Sequence, residues 1–464
     1  MTTFSYLRRF RFLAVAMPMS LVLSLATIDG SAQEAEKKRK TIQRKTDAFK
    51  LQIHIPSDEI AQQTIDVAEK TWAVAADLYG VSSPPKKLLT TSLYRDTAGY
   101  EQVDEKLTGG KFKRNLAFAH HDSLSAHVAL QPYLTNEGLE DVGLPKLTAR
   151  LLAHEMAHLV RFHHLSHSFR DHPEWIVHGM ASYIDKKVVM ELGYVSDPNQ
   201  NPDSGQNIYD VKQLVKKGSL PSVASLLKDE TLDLKFYELY SVQWIFLDML
   251  MTKHEKRFRL FLHDLRRLGG GRDFAKRASD LLIKTLEVGT EELESDFLFH
   301  IAHTEAEWID YVRSLETGGE VWHQIAFPNS GAIAWKQTPL PESVSISTEA
   351  TFLRGATQQL NLRIGMPTRF TQYSLTAGYG LNVFEFDEGK WNTTEKKEIA
   401  GLAVGQPLKI EFAGSKGDFV ELKLNGNVIY SGKLKRAKTD QLGLAVQAGS
   451  VIAWKNLRVI GVEK

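Results

Sequence analysis

The stretch LLAHEMAHLVRF at residues 151–162 combines the pattern of a buried helix with side chains that can bind a metal ion. His154 and His158 are four residues apart, so a helix presents both imidazoles on one face. Glu155 follows the first histidine and can address water at the same ion. Imidazole and carboxylate groups suit zinc, and we therefore predict a zinc site here. Apolar residues would bury this helix and hold the ligands rigidly: Leu151, Leu152, Leu159 and Phe162.

A catalytic zinc site needs a third protein ligand, and two later histidines are candidates. His164 stands ten residues after His154, as in the pattern HExxHxxGxxH, but Arg161 occupies the glycine position. If the helix continues, His164 lies ~15 Å along the axis from His154 and cannot share its ion. His178, in PEWIVHGMASYID at residues 173–185, would come from a separate helix that crosses back over the first. The sequence favours His178 as the third ligand.

Composition limits the other kinds of site. The chain has 464 residues, 43% of them hydrophobic and 24% charged, which is enough for two packed domains. Lysine plus arginine (57) nearly balance aspartate plus glutamate (56), so we expect no nucleic-acid partner. The absence of cysteine excludes a disulfide framework, a thiolate metal site and a lipid-modified cysteine. A metal site must therefore use His, Asp or Glu.

The N-terminus has the pattern of an export signal. Arginines up to Arg11 precede an apolar run at residues 12–28, and small residues follow it. A membrane anchor is the alternative, but the run is short and contains Pro18. We predict a signal peptide at 1–33, a flexible leader at 34–46, and a mature periplasmic or extracellular protein that does not span a membrane.

Two domains are predicted after the leader. Residues 47–317 begin with strand patterns around a helix and continue with helical patterns, which predicts an α+β domain with a small N-terminal sheet and a helical C-terminal half. Residues 318–464 carry short alternating runs between glycine turns, which predicts an all-β sandwich or jelly roll. Within it, Asn425 and Gly426 predict a type I′ hairpin turn.

Residues 49–315 resemble the bacterial gluzincin-type metallopeptidases of the "peptidase MA" kind. That family's second motif runs roughly Pro-x-Trp-x-x-Glu-Gly-x-Ala-x-Tyr, and five positions match it: Pro173, Trp175, Gly179, Ala181 and Tyr183. The resemblance implies a zincin-like fold, one catalytic Zn²⁺, a peptide or protein substrate, and Glu155 as general base. It also implies a downstream tyrosine that assists the oxyanion, for which Tyr237 is a better match than Tyr240.

His178 is the departure from this family, because it occupies the position of the ligand glutamate. A neutral imidazole also binds zinc, and the site would then carry one more positive charge and make its water more acidic. Loss of the metal is the alternative, and Glu174 is a fallback ligand. Asp185 lies on the same helical face as His178 and would orient a ligand imidazole, unless it is a solvent-exposed acid.

The last strands of the β domain resemble concanavalin-like jelly rolls of bacterial carbohydrate-active proteins, through Gly443, Leu444, Trp454, Asn456, Leu457 and Val459. The resemblance implies carbohydrate contact, with four candidate aromatic residues that could instead be packed in the core: Tyr373, Tyr379, Trp391 and Trp454. The sequence thus predicts an exported zinc metallopeptidase. The alternatives are an inactive exported protein that binds glycans or surfaces through the sandwich, and a zinc hydrolase acting on another bond.

Overall fold

The computed structural model describes most of the chain between residues 41 and 461. The described residues are 41–113, 115–130, 143–165, 172–194, 202–228, 232–269, 271, 273–304, 308–310, 315–318, 321–325, 332–336, 338–354, 359–377, 379–399, 402, 405–415, 419–433, 440–447 and 451–461. The predicted signal peptide and most of the predicted leader lie outside them. Among the residues described, no helix has the length and apolar character needed to cross a membrane.

A mixed sheet organises the first part of the chain. Its strands are β1 (Ile42–Lys45), β2 (Phe49–Ile53), β3 (Leu89–Tyr94), β4 (Ala117–His120) and β5 (Ser125–Ala129). The spatial order is β1-β2-β3-β5-β4, with β2, β3 and β5 parallel and the outer strands antiparallel to their neighbours. Among the strands that the structure describes, β4 therefore lies at the edge of this sheet, with one side of its backbone not paired to any of them.

Helices pack with this sheet around a small cluster, which includes Tyr100 and Phe118, and around one main hydrophobic core. They are α1 (Asp58–Tyr79), α2 (Thr97–Thr108), α3 (Lys146–Leu165), α4 (Glu174–Glu191), α5 (Pro202–Lys217), α6 (Val223–Leu227), α7 (Phe236–Lys253), α8 (Glu255–Leu265), α9 (Phe274–Leu286) and α10 (Thr290–His303). The largest side chains in this core include Trp175 of α4 and Phe246 of α7, whose rings meet edge to face at 5.6 Å. Burial of these aromatic residues fixes how the two helices lie against each other.

Helix α3 holds the HExxH motif and continues through His164 to Leu165. His164 therefore follows the helix away from the motif, and its ring lies 5.6 Å from that of Tyr79. Helix α4 begins after Pro173, which occupies the N-cap position in an extended conformation. The chain thus starts a new helix before His178, as the sequence predicts.

A close approach between α4 and α7 depends on Gly179. A Cβ atom at this position would lie 2.7 Å from Cδ2 of Leu247 and 2.9 Å from the carbonyl oxygen of Gln243. A backbone oxygen cannot move aside easily, so a side chain here would force the helices apart. Because Gly179 has no side chain, α7 comes close to α4. Tyr240 of α7 therefore lies beside His178, which directly precedes Gly179 in α4.

The C-terminal region is a β-sandwich, which confirms the predicted all-β architecture. Its strands are β6 (Trp308–Asp310), β7 (Leu315–Gly318), β8 (Val321–Ile325), β9 (Ala332–Lys336), β10 (Val344–Arg354), β11 (Gln359–Met366), β12 (Arg369–Thr376), β13 (Gly380–Asp387), β14 (Lys390–Lys397), β15 (Pro407–Ser415), β16 (Phe419–Leu424), β17 (Asn427–Lys433), β18 (Gln441–Val446) and β19 (Val451–Gly461). The described strands form two seven-stranded sheets, β17-β16-β15-β10-β19-β8-β7 and β14-β13-β12-β11-β18-β9-β6. A second hydrophobic core, including Phe412 and Trp454, lies between them.

The hairpin between β16 and β17 confirms the predicted turn. Asn425 and Gly426 have φ values of 51° and 81°, which a type I′ turn requires at both central positions. The strands on either side pair Leu424 with Asn427. Local turn chemistry was therefore sufficient to locate this connection.

Candidate metal centre

The structure brings three imidazoles together from two helices. His154 and His158 of α3 have ring centroids 4.8 Å apart, and His178 of α4 lies 6.4 Å from the first and 5.4 Å from the second. One ligand atom from each ring lies within 4.8 Å of the other two. Nitrogen ligands of a tetrahedral zinc ion lie ~2.0 Å from the metal, and so ~3.3 Å apart, a spacing that small ring rotations would reach.

Hydrogen bonds orient two of these rings. The Nδ1 atom of His154 donates to Oδ2 of Asp185 at 2.9 Å, which leaves Nε2 to bind an ion. The Nδ1 atom of His178 lies 2.7 Å from the hydroxyl of Tyr240. When Nε2 of His178 binds a metal, Nδ1 carries the proton and donates to the tyrosine oxygen. Asp185 and Tyr240 therefore each hydrogen-bond to Nδ1 of a different histidine in the cluster.

Two of the three histidines, His158 and His178, are kept neutral, as metal binding requires. Burial, with His154 nearby, lowers the pKa of His178 to about 3. The same causes hold the pKa of His158 well below its ordinary value. Three imidazoles, two of them oriented by hydrogen bonds, are a donor set that fits zinc.

Glu155 has the properties of a general base. Burial raises the pKa of its carboxyl to about 7, against the opposing effect of His154. A base with a pKa near neutrality combines a usable deprotonated fraction with a strong tendency to take a proton. Glu155 and His154 line the same cavity, so this carboxyl faces the open space beside the imidazoles.

The carboxylate of Asp185 forms an ion pair with Arg150, a residue that the sequence analysis did not identify. Nε of Arg150 donates to Oδ1 of Asp185 at 3.0 Å, and both side chains are buried. Burial would raise the pKa of Asp185, but Arg150 and Lys186 outweigh it and keep the pKa below its ordinary value. Arg150 stands four residues before His154 on one helix face, a spacing that could have identified it.

A cavity of about 800 Å³ opens beside the imidazoles. Residues before and within the edge strand β4 form one wall, including Asn115 and Ala117. Helices α5 and α7 form another, with Tyr209 and Tyr240 among the lining residues. This volume lies within the range of ~300–1,000 Å³ that is usual for ligand pockets in proteins.

The two tyrosines considered from the sequence lie in different positions. Tyr237 lines the cavity and is 46% exposed, and its hydroxyl accepts from Nζ of Lys235 at 3.1 Å. Tyr240 lies against the cluster of imidazoles, with its ring 4.7 Å from that of His178. Glu174, the fallback ligand, has Oε2 3.4 Å from Nε2 of His178. Contact with the imidazoles thus distinguishes Tyr240, whereas Tyr237 borders the open space.

The four candidate aromatic residues of the sandwich divide into two pairs. Tyr373 and Trp454 are buried in the core between the sheets, at 0% and 1% exposure. Trp391 and Tyr379 are exposed by 49% and 76%. Only the second pair is accessible to a ligand.

No family model matches this chain, and none of the curated proteins matches it. Among solved structures, it is similar to the carbohydrate binding module CBM66 from Bacillus subtilis, with a TM-score of 0.29 and 11% identity over 33% of this chain and 94% of that one. Sheep galectin-11 in complex with glycerol gives a TM-score of 0.23 and 13% identity over 27% and 95%. The carbohydrate recognition domain of Emp46p in metal-free form gives 0.26 and 10% over 34% and 89%. What those proteins bind is a property of theirs, and no activity of this chain follows from it.

Proposed function

We propose that this chain is a zinc-dependent hydrolase that acts on peptides. The observation that carries the proposal is the convergence of His154, His158 and His178 beside Glu155. Hydrogen bonds to two of these ligands support it, because such partners fix the tautomer and orientation of a metal-binding histidine. A zincin-like fold for residues 47–317 and export of the mature protein are part of the same proposal.

Zinc would supply Lewis acidity, which polarises a carbonyl and acidifies water. Glu155 takes the proton of the attacking water and passes it to the leaving nitrogen of the scissile bond. Asp185 keeps the proton of His154 on Nδ1, and Tyr240 accepts the corresponding proton of His178. The apolar packing of α3 and α4 limits the entry of other water.

The peptide substrate class rests on the cavity and its edge strand. Asn115, Leu116 and Ala117 line the cavity where β4 begins, and β4 lies at the edge of its sheet. An extended peptide can add to such an edge through backbone hydrogen bonds. Backbone pairing of this kind would hold the scissile bond of a peptide alongside α3, whatever the side chains of that peptide.

The proposal predicts one zinc ion per chain by elemental analysis and cleavage of a fluorogenic peptide library. Glu155→Gln should keep the metal and lose cleavage, because the amide cannot take the proton. His178→Ala should lose most of the metal. Chain purified under chelator-free conditions that neither contains nor takes up zinc would refute the proposal.

A second candidate function is binding through the sandwich, without catalysis. Exposure of Trp391 favours it, because its ring lies against Phe370 and Phe386, and apolar groups clustered at a protein surface often mark interaction sites. Binding of glycans by the full chain, together with absence of both zinc and hydrolysis, would favour this candidate over the hydrolase.

A further inference from the structure

One face of the second sandwich sheet gathers an arginine, polar amides and aromatic rings. Strand alternation points Leu360, Leu362 and Ile364 of β11 into the core, so Asn361 and Arg363 lie on the opposite face. Strand pairing places Gln372 of β12 opposite Arg363, and Phe370 opposite Phe386 of β13. Trp391 of β14 is in turn opposite Phe386. We call Arg363, Phe370, Gln372 and Trp391 the arginine–aromatic face.

Arg363 is held firmly at the centre of this face. Its Nε donates to Oε1 of Gln372 at 2.6 Å, and the amide of Gln372 donates to Oδ1 of Asn361 at 3.1 Å. Its guanidinium carbon lies 4.5 Å from the ring centroid of Phe370 and 5.7 Å from that of Trp391. These contacts fix the guanidinium beside an exposed indole before any ligand arrives.

The charge of Arg363 has no counterion among the described residues. None of their carboxylates forms an ion pair with it, and its terminal nitrogens donate to none of their acceptors. Burial lowers the pKa of Arg363 to about 10, so the side chain is still protonated at neutral pH. A partly buried cation of this kind can be paired by a planar anion, which a guanidinium binds through two parallel hydrogen bonds.

We propose that the arginine–aromatic face binds a sugar that carries a carboxylate, a hexuronate unit of an acidic glycan. The sugar ring stacks on Trp391, whose 49% exposure leaves the indole accessible. Its carboxylate pairs with the terminal nitrogens of Arg363. The 5.7 Å between guanidinium and indole lies within the span of one monosaccharide, so both contacts are made together. The proposal deepens the second candidate function and rests on it, and it does not require the metal centre.

Isothermal titration calorimetry of the full chain tests this proposal, in EDTA so that zinc has no part in the result. The probes are tetramers of galacturonate, glucuronate-containing hyaluronan and alginate, with neutral galactotetraose as the matched control. We expect at least one acidic oligosaccharide to bind tenfold or more tighter than the neutral one. Added salt should weaken that binding, since it depends on a charge pair.

Substitutions in the arginine–aromatic face test whether the oligosaccharide binds there. Trp391→Ala and Arg363→Gln should each lower the affinity for the acidic oligosaccharide at least tenfold, which corresponds to ~1.4 kcal/mol of binding free energy. Phe419→Ala is the control, because this exposed ring lies on β16 of the other sheet and its loss should leave binding unchanged. Trp391 is at the surface, so its variant keeps the test valid if Arg363→Gln does not fold.

Three outcomes would overturn the proposal: no acidic oligosaccharide binds, the neutral one binds equally well, or Trp391→Ala binds as the unchanged chain does. Tetraglutamate is titrated in the same way, and tighter binding of this acidic peptide than of the acidic sugars would also overturn the proposal and assign the face to a protein partner. If the chain proves not to be a zinc hydrolase, these binding results still stand, because the titration is made in the presence of a chelator.

Discussion

Replacement of Asp185 by asparagine tests the organisation of the metal centre. The carboxylate accepts from His154 at 2.9 Å and from Arg150 at 3.0 Å, and its side chain is 1% exposed. An asparagine has one oxygen and one NH₂ group in this space, so only one donor can be satisfied. If the NH₂ group faces His154, the imidazole must carry its proton on Nε2 and cannot bind the ion.

The expected magnitudes follow from these two hydrogen bonds. Loss of an outer partner of a metal-bound histidine typically weakens metal affinity ~10–100-fold, or ~1.4–2.7 kcal/mol. Loss of one buried hydrogen bond to a charged group should also lower the free energy of unfolding by ~1.5–3 kcal/mol. Asp185→Asn should therefore impair both metal binding and stability.

Zinc affinity can be measured by competition with a chromogenic chelator, and stability by urea unfolding of the metal-free chain. Glu191→Gln is the matched control, because it neutralises an acid at the surface end of the same helix, where Glu191 pairs with Lys70 at 3.2 Å. That change should alter stability by less than ~1 kcal/mol. A folded Asp185→Asn chain with zinc affinity within twofold of the unchanged chain would refute the reasoning.

Three further predictions concern other residues. Glu155→Gln should bind zinc normally and cleave peptides ~10²–10⁴-fold more slowly, as steady-state kinetics with metal analysis will measure. Tyr240→Phe should weaken zinc binding ~10-fold in the chelator assay with little change in secondary structure, because His178 loses its Nδ1 acceptor. Asp296→Asn should destabilise the chain at pH 7 in urea unfolding. Burial of Asp296 raises its pKa, but hydrogen bonds from Lys253 and His254 have the larger opposite effect, so the pKa is lower than its ordinary value. The stabilisation is therefore present above the unfolded pKa, ~3.9, and is lost as pH falls through the folded pKa.

Each of these has an outcome that contradicts it. Unchanged turnover in Glu155→Gln would remove the carboxylate from the mechanism. Unchanged zinc affinity in Tyr240→Phe would make the tyrosine a packing residue. A stability difference between Asp296→Asn and the unchanged chain that persists in full at pH 2.5 would mean that the charge of the aspartate is irrelevant to it.

Local features were predictable from the sequence. The four-residue spacing of His154 and His158 is set by the helix itself, so their shared face required no tertiary information. The turn at Asn425 and Gly426 depends on the φ values that these two residues accept. Alternation of apolar residues indicated the sandwich, because one buried face imposes a period of two on each strand.

Alternatives that depended on long-range packing stayed open. Tyr237 and Tyr240 both follow the start of one helix, and the sequence favoured the first. The close passage of α7 over Gly179 decides that Tyr240 meets His178, since the rotation of α7 is fixed by its contacts with α4. The buried position of Asp185 likewise depends on the crossing of α3 and α4.

The sequence by itself determined which groups can bind a metal and located most helices and strands, because residue chemistry and local periodicity are properties of the chain. It did not predict the short strand β6, which follows the last helix. Tertiary structure decided which histidine joins the first two and which aromatic residues of the sandwich are accessible. It also assembled the arginine–aromatic face, whose members come from three strands. Such groupings arise only when distant segments pack, and the free energy of packing depends on the whole core.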